Sequence, residues 1–257
     1  MLNYMKSEWY RITRGHEFYV FTGVLCALAL AGNLLLRGLA SDPVFPYGTV
    51  RFSLSNLISM LILLFFAAGL LVWNLFSDEG KDGTFKNAVA HGLSRRDLFV
   101  GKCLVSSALG LISLSVFLIV YIGSALALLE GPGLEAVGYL LQGVAAALPF
   151  TIACVVLAVA VCAKLPTSLM GFFVWLAVVV FVPTALGYLG MVSELAGVVA
   201  NWMPYNFFSS GVLINQSGVS QFLWNTPDGL AKCLIAGFAG IAIFGAVGLW
   251  SANKTEL

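Results

Sequence analysis

The sequence predicts an all-α polytopic membrane protein with six transmembrane helices, and three observations carry that prediction. Hydrophobic residues make up 60% of the 257 residues and charged residues only 10%. Soluble chains carry about 45–50% and about 25%, so there is too little charge here to cover a water-facing surface. Six runs free of Asp, Glu, Lys and Arg are long enough to cross a hydrocarbon core about 30 Å thick: Phe18–Leu36, Leu54–Phe76, Cys103–Leu128, Val137–Ala163, Ser168–Gly190 and Cys233–Trp250. None shows the in-and-out alternation of a membrane barrel, which leaves helices as the spanning element. The formal net charge is +1, so no global basic field gathers nucleic acid and no nucleic-acid partner is expected.

Residues 1–17 precede the first span. Within them, residues 3–16 combine Tyr4, Trp9, Tyr10 and Ile12 with Lys6, Arg11 and Arg14. That mixture predicts a helix lying in the membrane interface, rings at headgroup depth and basic groups near anionic lipid. Ala29-Leu30-Ala31 has the form of a signal-peptide cleavage site. However, the apolar run continues to Leu36, and Glu8 and Glu17 lie upstream of it, so an uncleaved first span is expected. Lys164 and Pro166 separate the fourth span from the fifth. Pro149 and Pro183 fall inside spans four and five, where either can kink its helix. Gly237, Gly240, Gly245 and Gly248 with Ala236 give the sixth span faces suited to close packing.

Orientation follows from Lys and Arg. Ten of them (Lys6, Arg11, Arg14, Lys81, Lys86, Arg95, Arg96, Lys102, Lys164 and Lys254) fall on one side of this topology, and three (Arg37, Arg51 and Lys232) on the other. The first side is therefore expected to be cytoplasmic, with both termini inside.

The cytoplasmic loop, residues 77–101, holds nine of the twenty-five charged residues once Lys102 is included. Phe85, Ala88, Val89 and Leu93 fall at helical spacing and form an apolar stripe, with Lys86, Asn87 and His91 elsewhere. Ser94 followed by Asp97 predicts a capped start to the third span. The external segment, residues 191–229, is long but not hydrophilic: Trp202, Pro204, Tyr205, Phe207 and Phe208 crowd together, followed by Phe222 and Trp224. Such a segment is expected to be partly re-entrant or to cap the bundle, with those five residues as an external gate; an interfacial aromatic belt is the plainer alternative.

Several functions are excluded locally. The sequence contains no H-E-x-x-H, G-x-S-x-G or G-x-x-x-x-G-K-[ST]. Cys26, Cys103, Cys154, Cys162 and Cys233 are scattered, and the two histidines, His16 and His91, are far apart, so neither a metal site nor a disulfide framework is implied. The spans carry no ionisable relay of the kind that ion-coupled pumps bury. Asn33, Asn56, Asn74 and Gln142 are expected to act chiefly as helix–helix hydrogen-bonding groups. Beside a transport role, two alternatives stand: a non-transporting membrane scaffold, and an intramembrane enzyme acting on lipid, for which Asp78, Glu79 and Asp82 are the one acidic cluster.

The layout resembles the ABC-2 type permeases, the membrane subunits of ATP-binding-cassette exporters. The likeness covers the whole chain in arrangement. In residues it rests on the basic amphipathic N-terminus and on Glu79, Gly83-Thr84, Ser94-Arg95 and Gly101-Lys102 of the loop entering span three. The short length is most similar to bacterial permeases of antimicrobial-peptide export and lantibiotic immunity. The resemblance implies a single transmembrane domain over 1–257, an elbow helix at Leu2–Gly15 and a coupling helix near Thr84–Leu93. Coupling to the ATPase would fall to Glu79, Gly83, Thr84, Phe85, Lys86, Asn87, Val89, Ser94 and Arg95. It also implies an ATPase partner in two copies, a second permease chain, identical or related, and residence in a bacterial plasma membrane. No cofactor is expected on this chain; ATP and Mg would bind the partner. His91-Gly92 stands where the family often has a proline, a departure at the end of the coupling helix.

Overall fold

The computed structural model describes residues 1–40, 47–76, 94–165, 168–210, 212–215 and 218–254, and of residues 168, 212–215, 218–221, 253 and 254 it describes the backbone alone. The described chain is overwhelmingly helical. Helix α1 (Leu2–Arg14) leads into α2 (Glu17–Leu39), then α3 (Val50–Ser59) and α4 (Ile62–Phe76). These are followed by α5 (Arg95–Leu128), α6 (Leu134–Cys162), α7 (Ser168–Leu176) and, after a π-helical turn at Ala177–Phe181, α8 (Val182–Leu189). Two short helices, α9 (Glu194–Asn201) and α10 (Pro204–Ser210), precede α11 (Pro227–Lys254). Among the described residues, five helical segments are long and apolar enough to span a bilayer, six if α3 and α4 form one bent span. This is the polytopic all-α architecture that the composition implies.

Helix α6 is the hub. Residues Ala153 through Val159 are all buried, and seven consecutive buried positions leave no helical face for lipid or water. Helix α11 runs against it on small residues. A Cβ at Gly237 would lie 2.5 Å from the Pro149 Cβ and 2.8 Å from the Phe150 backbone nitrogen, and one at Gly240 3.0 Å from the Ala153 Cβ. Gly248 likewise admits the Phe99 ring at the start of α5, whereas Gly245 has nothing within 4 Å. The predicted small-residue face is thus used at three of its four glycines.

Helix α2 sits at the periphery. It buries only Phe18, Thr22, Ala29 and Asn33, one stripe at helical spacing. Its polar members tie it to α5: the Thr22 hydroxyl donates to Ser113 Oγ at 3.0 Å, and Asn33 Nδ2 donates to Ser124 Oγ at 2.7 Å. Ser53 of α3 donates to Asn33 Oδ1 at 2.6 Å, and the Tyr121 hydroxyl donates to the Ser53 carbonyl at 2.8 Å. Interhelical bonds like these average about 0.6 kcal/mol in a bilayer. They fix register more than they supply stability.

Two spans depart from straight helices. The second predicted run breaks at Met60–Leu61, where α3 and α4 meet at 65°. In the fifth, Pro183 has no N–H for the Val179 carbonyl. The helix widens into the π turn just before it, and the Thr184 hydroxyl donates to the neighbouring Val180 carbonyl at 2.7 Å. The external segment adds an antiparallel hairpin, β1 (Val212–Asn215) with β2 (Gly218–Phe222). The all-α expectation did not include it.

Candidate functional site

Two ends of the bundle carry the residues that the sequence singles out. At the basic end, α1 docks beside the start of α5. Gly101 makes the approach possible, because a Cβ there would fall 2.9 Å from the Tyr4 ring. Ile12 and Glu8 of α1 are buried against the bundle. Glu8 accepts from Arg11 through Nε at 3.2 Å and Nη2 at 2.7 Å. The Arg11 guanidinium in turn lies 5.6 Å from the Phe76 ring centroid, and the Lys102 ammonium lies 4.6 Å from the same ring. Two cations therefore lie against one buried ring at the end of α4. Such contacts are worth about 0.5–1 kcal/mol when exposed and about 2 or more when desolvated.

The start of α5 is formed as its sequence suggests. The Ser94 hydroxyl accepts from the Asp97 backbone N–H at 3.1 Å, and Asp97 in the first turn complements the helix dipole. Arg95 is half-buried there. The other predicted coupling residues (Glu79, Gly83, Thr84, Phe85, Lys86, Asn87 and Val89) lie outside the described residues. Of the Gly-Lys pair entering span three, Gly101 seats α1 and Lys102 covers Phe76.

At the opposite end, α9 and α10 close over the bundle. Pro204 opens α10 at a position that suits its fixed φ. Pro204, Phe207 and Phe208 are buried, Tyr205 is half-buried and Trp202 is exposed. Phe208 is fully buried, edge-on to Phe65 at 5.4 Å between centroids and tilted against Trp224 at 5.6 Å. Phe65 stands edge-on to Phe150 at 4.9 Å, and Trp224 stacks with Phe222 at 5.5 Å. The result is a ladder of rings from the hairpin, through the cap, into α4 and α6. The Trp224 indole N–H is buried with no hydrogen-bond partner among the described residues, so ring packing is what holds that side chain. Phe207 packs its ring against Phe208 at 5.0 Å between centroids and lies under the Lys232 ammonium at 5.1 Å, which also lies 5.9 Å from the Trp202 ring. Asn206 binds α10 to its neighbours: Nδ2 donates to the Pro183 carbonyl at 2.8 Å and the Ala200 carbonyl at 3.0 Å.

The five predicted gate residues are thus adjacent but not equivalent. Phe208 and Phe207 are the anchors, and Trp202 and Tyr205 are the rim. Sequence reading missed Phe65 and Phe150 beneath the anchors, Lys232 above them and the two hydrogen bonds of Asn206. Among the described residues, no three His, Cys, Asp or Glu side chains come together as metal ligands.

A family model described as "ABC-2 family transporter protein" matches residues 4–184, well over half of the chain. The match runs from α1 to the proline turn of α8 and so includes the whole basic seat, while α9, α10 and α11 lie beyond it. No curated protein and no solved structure matches the chain.

Proposed function

The chain belongs to the ABC-2 transporter family, and on that premise we propose that it is the membrane subunit of an exporter whose power stroke comes from a separate ATPase. The basic end is the cytoplasmic end, as its ten Lys and Arg require under the positive-inside rule. Two ATPase copies dock there on the loop of residues 77–101, and a second permease chain, identical or related, completes the pathway. The substrate is a hydrophobic or antimicrobial peptide, moved outward or lifted from the membrane.

The shared ring of Phe76 is the observation that supports this reading best. Residue 76 leads directly into the loop, and its ring is covered by one cation from the elbow helix and one from span three. A displacement of the loop by an ATPase would be felt at once by both. The external cap, anchored by Phe208 to the same helix α4 through Phe65, lies at the far end of that element. Helix α4 is therefore the lever between a docked ATPase and the outer gate.

The test is reconstitution. The chain purified with its ATPase should export peptide from proteoliposomes in an ATP-dependent manner, unaffected by collapse of the proton gradient. Export by the chain alone, without any ATPase, would refute the subunit reading.

A further inference from the structure

Between α2, the broken pair α3–α4, α5 and α6 lies a cavity of about 320 Å³, within the range of about 300–1000 Å³ typical of small-molecule sites. Three features set it apart from an ordinary groove between spans. It forms at the break in the second span: Asn56, Leu57 and Met60 line it. There the ladder tightens, with the Met60 N–H donating to both the Asn56 and Leu57 carbonyls and the Leu61 N–H to the Ile58 carbonyl. Interrupted helices at membrane depth persist where they line a cavity. The lining includes no Asp, Glu, Lys, Arg or His. It does include the Asn56 amide and the Ser107 hydroxyl, neither of which has a side-chain hydrogen-bond partner among the described residues. An amide left without a partner in hydrocarbon is costly.

Other wall residues are open to lipid: Leu28 is 65% exposed, Met60 47% and Leu63 51%. The cavity is thus reached sideways, from the bilayer. We propose that it is a binding site for a neutral single-chain amphiphile, one alkyl chain carrying an ester or amide group. The chain would lie along the apolar wall. Its carbonyl would accept from Asn56 Nδ2, and a hydroxyl or N–H would donate to Asn56 Oδ1 or Ser107. A charged headgroup has no counter-ion there and is excluded. The inference rests on the permease reading only for its consequence, that such a molecule is carried or regulates carriage. Binding is a property of this chain alone, so the two fail separately.

The experiment uses the full chain in nanodiscs without ATPase, photolabelled by a monoacylglycerol bearing a diazirine in its chain. Labelling should map to the α4 and α5 segments lining the cavity. Excess unlabelled monoacylglycerol should compete, but hexadecane and phosphatidylglycerol should not. Asn56→Leu should reduce competed labelling about threefold, the worth of about one hydrogen bond in a membrane. Gly110→Ile, which fills the cavity from its wall and leaves Asn56 in place, should abolish it. Asn74→Leu, on an exposed face of α4, should leave it unchanged and reports on folding. The proposal is overturned if hexadecane competes equally well, if both cavity variants label like the parent chain, or if cross-linking shows a second copy of this chain covering Leu28 and Leu63.

Discussion

The two ends of the molecule are joined in opposite ways. At the basic end, a single ring holds two cations, and the elbow helix reaches it through one glycine and one intrahelical ion pair. At the aromatic end, rings meet rings continuously from Phe222 to Phe150. Ring-on-ring packing is dispersive and short-ranged, indifferent to salt, and lost only when shape is lost. Cation–ring contacts are electrostatic and can change partner without repacking a core. The cap is therefore built to move as one body with α4, and the seat to exchange contacts while staying assembled.

The largest effect should come from breaking the ladder. Replacing Phe207 and Phe208 together with Ala should cost about 3–5 kcal/mol of local packing at each position. The chain should still insert and bind its ATPase, but basal hydrolysis should run uncoupled from export. Normal coupling would return the cap to the role of an interfacial belt. Next is the seat's steric entry. Gly101→Val should overpack the Tyr4 ring by about 1–3 kcal/mol and free α1, read as rapid proteolysis within residues 2–14. Adding Tyr4→Ala should restore protection, because the clash and not the glycine's flexibility is at issue. Smaller again is Phe76→Leu, which keeps bulk but removes the aromatic face under Arg11 and Lys102. About 1–2 kcal/mol of seat stability should go, and the salt dependence of α1 protection should weaken with it. The smallest effect belongs to Lys232→Met, about 0.5–1 kcal/mol over Phe207 and Trp202, visible as a modest fall in cap protection with export retained.

How much of this was legible in the sequence differs between the two ends for physical reasons. Span positions are readable because a charge in hydrocarbon is costly and its absence is conspicuous. The Ser94 cap is readable because capping is local chemistry. The break at Met60–Leu61 was not, since neither Pro nor Gly marks it, and the Ser59 hydroxyl that donates back to the Asn56 carbonyl there is one serine among many in the spans. The hairpin did carry a signal, β-branched residues flanking Asn215 and Gly218, which the membrane context overrode. At the cap, the crowding of Phe207 and Phe208 was visible, but their partners were not. Phe65 is fully buried, whereas Phe238 is 61% exposed, yet both are lone phenylalanines in apolar helices. In lipid the same residue serves equally as core and as surface, so hydropathy cannot separate them.

The polar stripe of α2 has a consequence for biogenesis. Asn33 meets Ser124 across 91 positions of sequence. At about 5–20 residues per second, a ribosome needs roughly 5–20 s to make the partner after Asn33 has emerged. Ser53 reaches Asn33 Oδ1 after only 20 positions, but through that interval the first span must stand beside the insertion machinery with the Asn33 Nδ2 donor unmatched. Thr22, which waits 91 positions for Ser113, shares the delay. The Thr22 partner is made before the Asn33 partner, so α2 is captured from its N-terminal half onward as α5 arrives. A chain stalled before residue 113 should accordingly hold its first span at the translocon, and one extended past residue 124 should release it.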